Sequence, residues 1–142
     1  MFQKRLTMSV GKPQNEGELT LGGQPIACSA PAVMNGKGVG TNPEELLVSA
    51  VAACYSLTFA GILQARKLPA TGIETDAEGT VIRDKGLRFD RISVSPVIHG
   101  ADRNRETEYK SAAEVARERC FIGSTVKKSL DYVLGAVTLE EH

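Results

Sequence analysis

Tryptophan is absent, histidine occurs twice, cysteine three times, and only four Phe and three Tyr stand among 142 residues. No charge of either sign is in surplus: 17 Lys and Arg face 17 Asp and Glu, for a formal net charge of zero. A protein built for nucleic acid needs a net basic face to displace counterions from phosphates, so this balance argues against such a partner. A chain near zero charge is also weakly protected against self-association, which fits an oligomer. The scarce histidines argue against a Cys-His hydrolase, because His99 precedes Gly100 at a strand end and His142 is the last residue. Cys28, Cys54 and Cys120 are 26 and 66 residues apart, a spacing with neither a CxxC pair nor a zinc pattern, so no metal is expected. The opening "MFQKRLTMSV" has no apolar core of a signal peptide and alternates apolar with polar residues. A cytoplasmic location is therefore expected, where thiols stay reduced and a disulfide is more often catalytic than structural.

The length suits a single domain spanning residues 1–142. Phe2, Leu6, Met8 and Val10 share one parity and predict a half-buried strand over residues 2–10. "GKPQNEGE" (11–18) reads as a loop, and "LTLGG" and "QPIACSA" as short strands. "PAVMNGKGVGT" (31–41) is expected to be a flexible connection; its glycines do not make a nucleotide loop, since no strand immediately precedes them and no Lys-Ser/Thr follows. "GIETDAEGTVIRD" and "RFDRISVSPVIHG" alternate as strands around Lys85-Gly86 and predict a hairpin. From Asp102 the spacing of Tyr109, Ala112, Ala113, Ala116 and Cys120 is helical; Gly123-Ser124 is expected to interrupt it, with a further short helix over Thr125 to Leu134 and a closing strand in "GAVTLEEH". The order of elements is that of an α+β protein.

The most unusual stretch is "NPEELLVSAVAACYSLTFAGILQAR" (42–66), uncharged from Leu46 through Leu63. Asn42 as N-cap, Pro43 at the first helical position and Glu44 and Glu45 in the first turn all signal a helix start. Arg66 and Lys67 suit its negative end, and Pro69 closes it. Eighteen uncharged residues satisfy the length of a membrane span. The four alanines, two serines, threonine and glycine of the run, with two glutamates at its mouth, instead favour a helix buried in protein. A helix apolar all round must be surrounded all round. One chain of this size has too few other elements to cover it, so a second copy related by a two-fold axis is expected to complete the cover.

"GTNPEELLVSAVAACYS", followed far downstream by "ARERCFIGS", resembles the OsmC/Ohr family of thiol-dependent hydroperoxidases. The resemblance covers most of the chain, and Asn-Pro-Glu about ten residues ahead of Ala-Ala-Cys is its most specific part. It implies an OsmC-like fold, with antiparallel sheets wrapped around central helices in an intertwined homodimer. It further implies organic hydroperoxides as substrate, Cys54 as the peroxidatic thiol, Cys120 as the resolving thiol and Glu44 as the carboxylate of the site. No bound cofactor is implied, only an external dithiol reductant of lipoyl type, and neither nucleic acid nor membrane as partner. Attack on an O–O bond requires a thiolate, and a second thiol condenses with the resulting sulfenic acid before it over-oxidises.

Ten helical residues span about 15 Å, so Glu44 reaches Cys54 only if the helix breaks early or if it serves the Cys54 of the other subunit. An antiparallel crossing of two central helices favours the second arrangement; otherwise Glu44 simply complements the helix dipole. The family's N-terminal arginine has no clear counterpart. Arg5 lies inside the first strand, which leaves Lys12 and Lys37 as possible charge stabilisers without the two-pronged guanidinium geometry. "CFIGS" also departs from the family's usual Cys-Pro. The absent arginine motivates one alternative, a non-enzymatic OsmC-like protein that binds a small apolar ligand or senses oxidants.

Overall fold

The computed structural model describes residues 1–10 and 15–141, which fall into two compact units, Met1–Leu47 and Val48–His142. Lys12 lies outside the described residues.

The first unit is an antiparallel sheet of β1 (Leu6–Ser9), β2 (Glu16–Leu21) and β3 (Gln24–Ser29), in that order. The β2–β3 turn is Gly22-Gly23, both at positive φ (55° and 78°), as a two-residue hairpin of matching twist demands. The expected first strand is shorter than its alternation suggested, and every residue of β1 is exposed rather than half-buried. Two paired strands and one hairpin offer too little apolar surface to bury Leu6 and Met8, which remain 43% and 41% exposed. Residues 31–41 are not the loose connection that their glycines suggested. Ser29 N–H donates to Thr41 O (3.0 Å), Thr41 N–H to Ala27 O (2.9 Å), and the Ser29 hydroxyl exchanges hydrogen bonds with Val39 O (2.9 Å) and N–H (3.0 Å). Gly40 permits this closeness: it sits at φ 71°, and a Cβ there would stand 2.2 Å from Ala27 O.

Helix α1 (Pro43–Ala65) begins as the sequence indicates, with Asn42 Oδ1 accepting from Glu45 N–H at 2.8 Å. It ends one residue before the cations; Lys67 turns left-handed (φ 54°) and Leu68 N–H reaches back to Leu63 O (2.9 Å). By length and composition α1 is able to cross a membrane. Yet Val51, Tyr55, Phe59 and Leu63, each four apart, are built into the core of the second unit.

That core is completed by Ile92, Val94 and Ile98 of β5 (Leu87–His99) and by Tyr109, Ala112, Ala113 and Ala116 of α2 (Glu106–Arg119). β4 (Gly72–Arg83) pairs antiparallel with β5 in the expected hairpin, turning through Lys85 and Gly86 at positive φ. The alanine stripe of α2 allows close approach, and the buried Tyr55 hydroxyl donates to Ala113 O at 3.0 Å.

Two expectations fail after α2. Gly123-Ser124 does not interrupt a helix but lies inside α3 (Phe121–Val126). The helix expected over Thr125 to Leu134 is replaced by β6 (Asp131–Leu134), and both β6 and the closing β7 (Thr138–Glu140) join β5 in parallel. The second sheet is therefore mixed, not antiparallel as expected. "DYVL" places Tyr132 on the buried side beside Ile92, a tertiary preference that outweighs the short helical spacing. His99 is half-buried between Glu74 (3.3 Å) and Glu140 (3.1 Å), rather than exposed.

Gly40→Ala combines left-handed strain with a backbone clash and is expected to destabilise by about 2 kcal/mol or more. Gly22→Ala, where nothing lies within 4 Å, is expected to lose only about 1 kcal/mol. Urea unfolding midpoints of the two variants check this ranking.

Candidate active site

Cys54 lies one residue from the buried Tyr55 on α1 and is half-buried at the edge of the core. Cys120 ends α2 and is fully buried at 0% exposure. Its extended backbone (φ −60°, ψ 121°) stops α2 and starts α3, and its sulfur takes the part of an N-cap oxygen by accepting from Gly123 N–H at 3.4 Å. The neighbouring first-turn amide, Ile122 N–H, points instead at the Cys54 sulfur (3.5 Å). One short turn of backbone therefore serves both thiols.

The two sulfurs are biased in opposite directions. Burial alone pushes Cys54 up, but the Ile122 N–H, the Cys120 thiol, the Phe121 N–H and the Thr58 hydroxyl all favour its thiolate, and together they carry it below the ordinary thiol value. Cys120 is held above that value, first by burial and further by the negative Cys54, although the Gly123 N–H and the Tyr132 hydroxyl oppose this. Cys120 acts as donor and Cys54 as acceptor in this pair. Both cysteines are free thiols, as is the buried Cys28 of the first unit.

Around them, Arg117 is paired with Glu114 and donates to Tyr132 O at 3.2 Å, fixing the start of β6. The ring of Tyr132 packs against Gly123, where a Cβ would stand 2.0 Å from Cε2. Its hydroxyl is buried and has no hydrogen bond of ordinary geometry among the described residues.

In the first unit Glu44 occupies the first turn of α1, beside a cavity of about 510 Å³ that Cys28 and Leu6 also line. One of its carboxylate oxygens is buried without a hydrogen-bond partner among the described residues. Because α1 is continuous, the early break considered for the sequence does not occur, and Glu44 stands about 15 Å along the axis from Cys54. Lys37 is ion-paired with Glu16 at the surface. Arg5 is exposed just ahead of β1.

The family resemblance singled out both thiols but missed the groups that act on them. Thr58 was visible in principle, four residues after Cys54 on one helix face. The amides of Phe121 and Ile122 leave no trace in side-chain identity, and Tyr132 was hidden by the mistaken helix.

Residues 35–134 match the family model described as OsmC-like protein, and the chain belongs to that family. A relative from Bacillus subtilis, the uncharacterised protein YmaD, is 27% identical over 130 residues, covering 89% of this chain and 87% of its own. Among solved structures, an OsmC-like protein of unknown function from Vibrio cholerae superposes with a TM-score of 0.77 at 19% identity, covering 96% of this chain and 99% of its own. An organic hydroperoxide resistance protein, OsmC, from Legionella pneumophila gives 0.74 at 21% identity, with 97% and 98% covered. These structural likenesses establish the fold.

Only the thiolate is alkylated readily, so the opposite shifts make Cys54 the more reactive of the two thiols at any given pH. Iodoacetamide labelling, read by the masses of the two cysteine peptides, is expected to rise at lower pH for Cys54 than for Cys120. Thr58→Val removes one donor and is expected to move the Cys54 midpoint upward.

Proposed function

We propose that the protein is a thiol-dependent peroxidase that reduces organic hydroperoxides, with Cys54 peroxidatic and Cys120 resolving. The observation that carries this reading is the pairing of an acidified thiol with a protonated one over a shared turn of backbone amides. The Cys54 thiolate attacks the terminal oxygen of ROOH; the O–O bond breaks, Cys54 becomes a sulfenic acid, and the departing alkoxide takes up a proton as ROH. Cys120 then attacks that sulfur, the S–O bond breaks, and the disulfide forms with release of water. An external dithiol, lipoyl-type by family resemblance, returns both cysteines to thiols. Apolar surroundings suit an organic peroxide and keep water from the intermediate.

The reading extends to a cytoplasmic homodimer. α1 leaves Ser49, Ala50, Ala53, Leu57 and Gly61 exposed on the face opposite its core residues, and Leu57 is 77% accessible. A stripe of small apolar residues on a helix otherwise lacking charge is best covered by the same helix of a second copy. If the helices cross antiparallel, Glu44 of one copy approaches Cys54 of the other. There its carboxylate takes part in the site, with Lys12 or Lys37 as the cation.

Wild type is expected to consume cumene hydroperoxide with dithiothreitol, and Cys54→Ser to lose this activity. One equivalent of peroxide without reductant should join the Cys54 and Cys120 peptides with loss of the mass of two hydrogens. A wild type that neither turns over nor forms that bond would remove the peroxidase reading in favour of a binding or sensing role.

The dimer has its own checks. Leu57→Glu is expected to yield monomers in sedimentation. Mixing inactive Glu44→Gln and Cys54→Ser proteins is expected to restore activity, because a mixed dimer holds one site with both groups intact; a Glu44 acting within its own chain would give no recovery.

A further inference from the structure

Tyr132 is the one tyrosine near the two thiols whose hydroxyl is not already committed. Tyr55 donates to Ala113 O at 3.0 Å. Tyr132, only 4% exposed, has a buried hydroxyl with no hydrogen-bond partner among the described residues. A buried O–H without an acceptor carries a free-energy cost, and phenylalanine would fill the same space without it. The side chain is nevertheless held rigidly. Its backbone is registered to Ile92 in the parallel β5–β6 pair and receives the Arg117 guanidinium at 3.2 Å, and its ring packs on Gly123 so closely that a Cβ there would stand 2.0 Å from Cε2. Gly123 N–H is the same group that binds the Cys120 sulfur at 3.4 Å. The hydroxyl is thus brought to the side of Cys120 by the residue that also anchors the thiol.

We infer that Tyr132 is the hydrogen-bond donor to the Cys120 thiolate: its buried hydroxyl lies on the Cys120 side without a bond of ordinary geometry among the described residues, and its bond to the sulfur tightens when Cys120 loses its proton. This assignment rests on the peroxidase reading for its place in the cycle, not for the interaction itself. In the resolving step the Cys120 proton goes to the hydroxide leaving Cys54, the S–O bond breaks and the S–S bond forms. The Tyr132 O–H keeps its own proton throughout and stabilises the negative sulfur during attack. When the external dithiol later opens the disulfide and Cys120 is the sulfur displaced, the same hydrogen bond stabilises the departing thiolate. Burial keeps the phenol far above its ordinary ionisation range, so it remains a donor at any pH at which thiols react.

The other ionisable groups acting on Cys120 are Cys54 and Tyr55 of α1, with Arg117 and Glu114 of α2 paired to each other nearby. The test therefore removes Cys54 first. In a Cys54→Ser background, the ultraviolet thiolate absorbance is titrated with and without Tyr132→Phe; Cys28 contributes equally to both. Loss of the hydroxyl is expected to shift the Cys120 ionisation to higher pH while leaving the urea midpoint little changed or raised, since no hydrogen bond of ordinary geometry among the described residues is lost. In the protein with both cysteines, Tyr132→Phe is expected to slow disulfide formation after one equivalent of cumene hydroperoxide by about tenfold, the scale of a hydrogen bond to a charged group. The initial loss of the Cys54 thiolate should be little changed, and more Cys54 should reach the sulfinic state. An unmoved Cys120 titration would overturn the inference even if the wild type is an active peroxidase. A shifted titration in a protein that fails to reduce hydroperoxides would leave the Tyr132 interaction standing and remove the peroxidase reading.

Discussion

A thiol placed in an apolar interior is a poor acid, and among the described residues of the chain the groups that overcome this penalty at Cys54 carry no formal positive charge. The compensation is dipolar. Backbone amides of Phe121 and Ile122, the Thr58 hydroxyl and the Cys120 thiol all present hydrogens to one sulfur. None of these brings a formal charge into the core, so none has to be desolvated as an ion or neutralised by a further partner. The consequence is an asymmetry: the half-buried sulfur is the acid and the fully buried one keeps its proton. Chemistry that needs one nucleophile and one proton-bearing partner needs this difference more than it needs either shift alone.

The backbone that supplies those amides exists because of Cys120. Its extended conformation stops α2, frees the next three N–H groups, and lets α3 start immediately. A proline after the cysteine, usual in the family, would lack one of those donors. With Phe121 in that position every amide of the turn is present. The change from Cys-Pro to Cys-Phe therefore bears directly on the absent arginine: an additional backbone dipole can supply part of the stabilisation that a guanidinium would supply as charge. Glu44, one carboxylate oxygen of which is buried without a partner among the described residues, is not among the groups that lower the Cys54 thiol.

Much of this was legible in the chain because it is written in side chains at short spacing. Asn42, Pro43 and the two glutamates fix the start of α1, the four-residue recurrence from Val51 to Leu63 fixes its buried face, and Lys85-Gly86 marks the hairpin. Cys54 and Cys120 stood out from the resemblance around them, not from their distance in sequence. The errors share one cause. "STVKKSLDYVL" has helical spacing over a stretch too short for propensity to decide, and the edge of β5 was open to a parallel partner that no local pattern announces. Likewise the glycines of residues 31–41 suggested looseness, when Gly40 is there to let two backbones touch. Composition alone does not separate a glycine that frees a chain from one that permits a contact.

The same limit applies to Tyr132, and its placement argues for how the site is assembled. β6 has only four residues, yet it joins the sheet through Ile92, holds the Arg117 guanidinium with its carbonyl, and presses its aromatic ring on Gly123. Each contact ties a different element, β5, α2 or α3, to the same residue. Cys120 itself sits between α2 and α3, so what fixes the turn that follows it is the packing of Tyr132 on Gly123. The parallel connection that defeated the sequence reading thus ties the turn after Cys120, whose amides serve both sulfurs, to β5 and α2 at once.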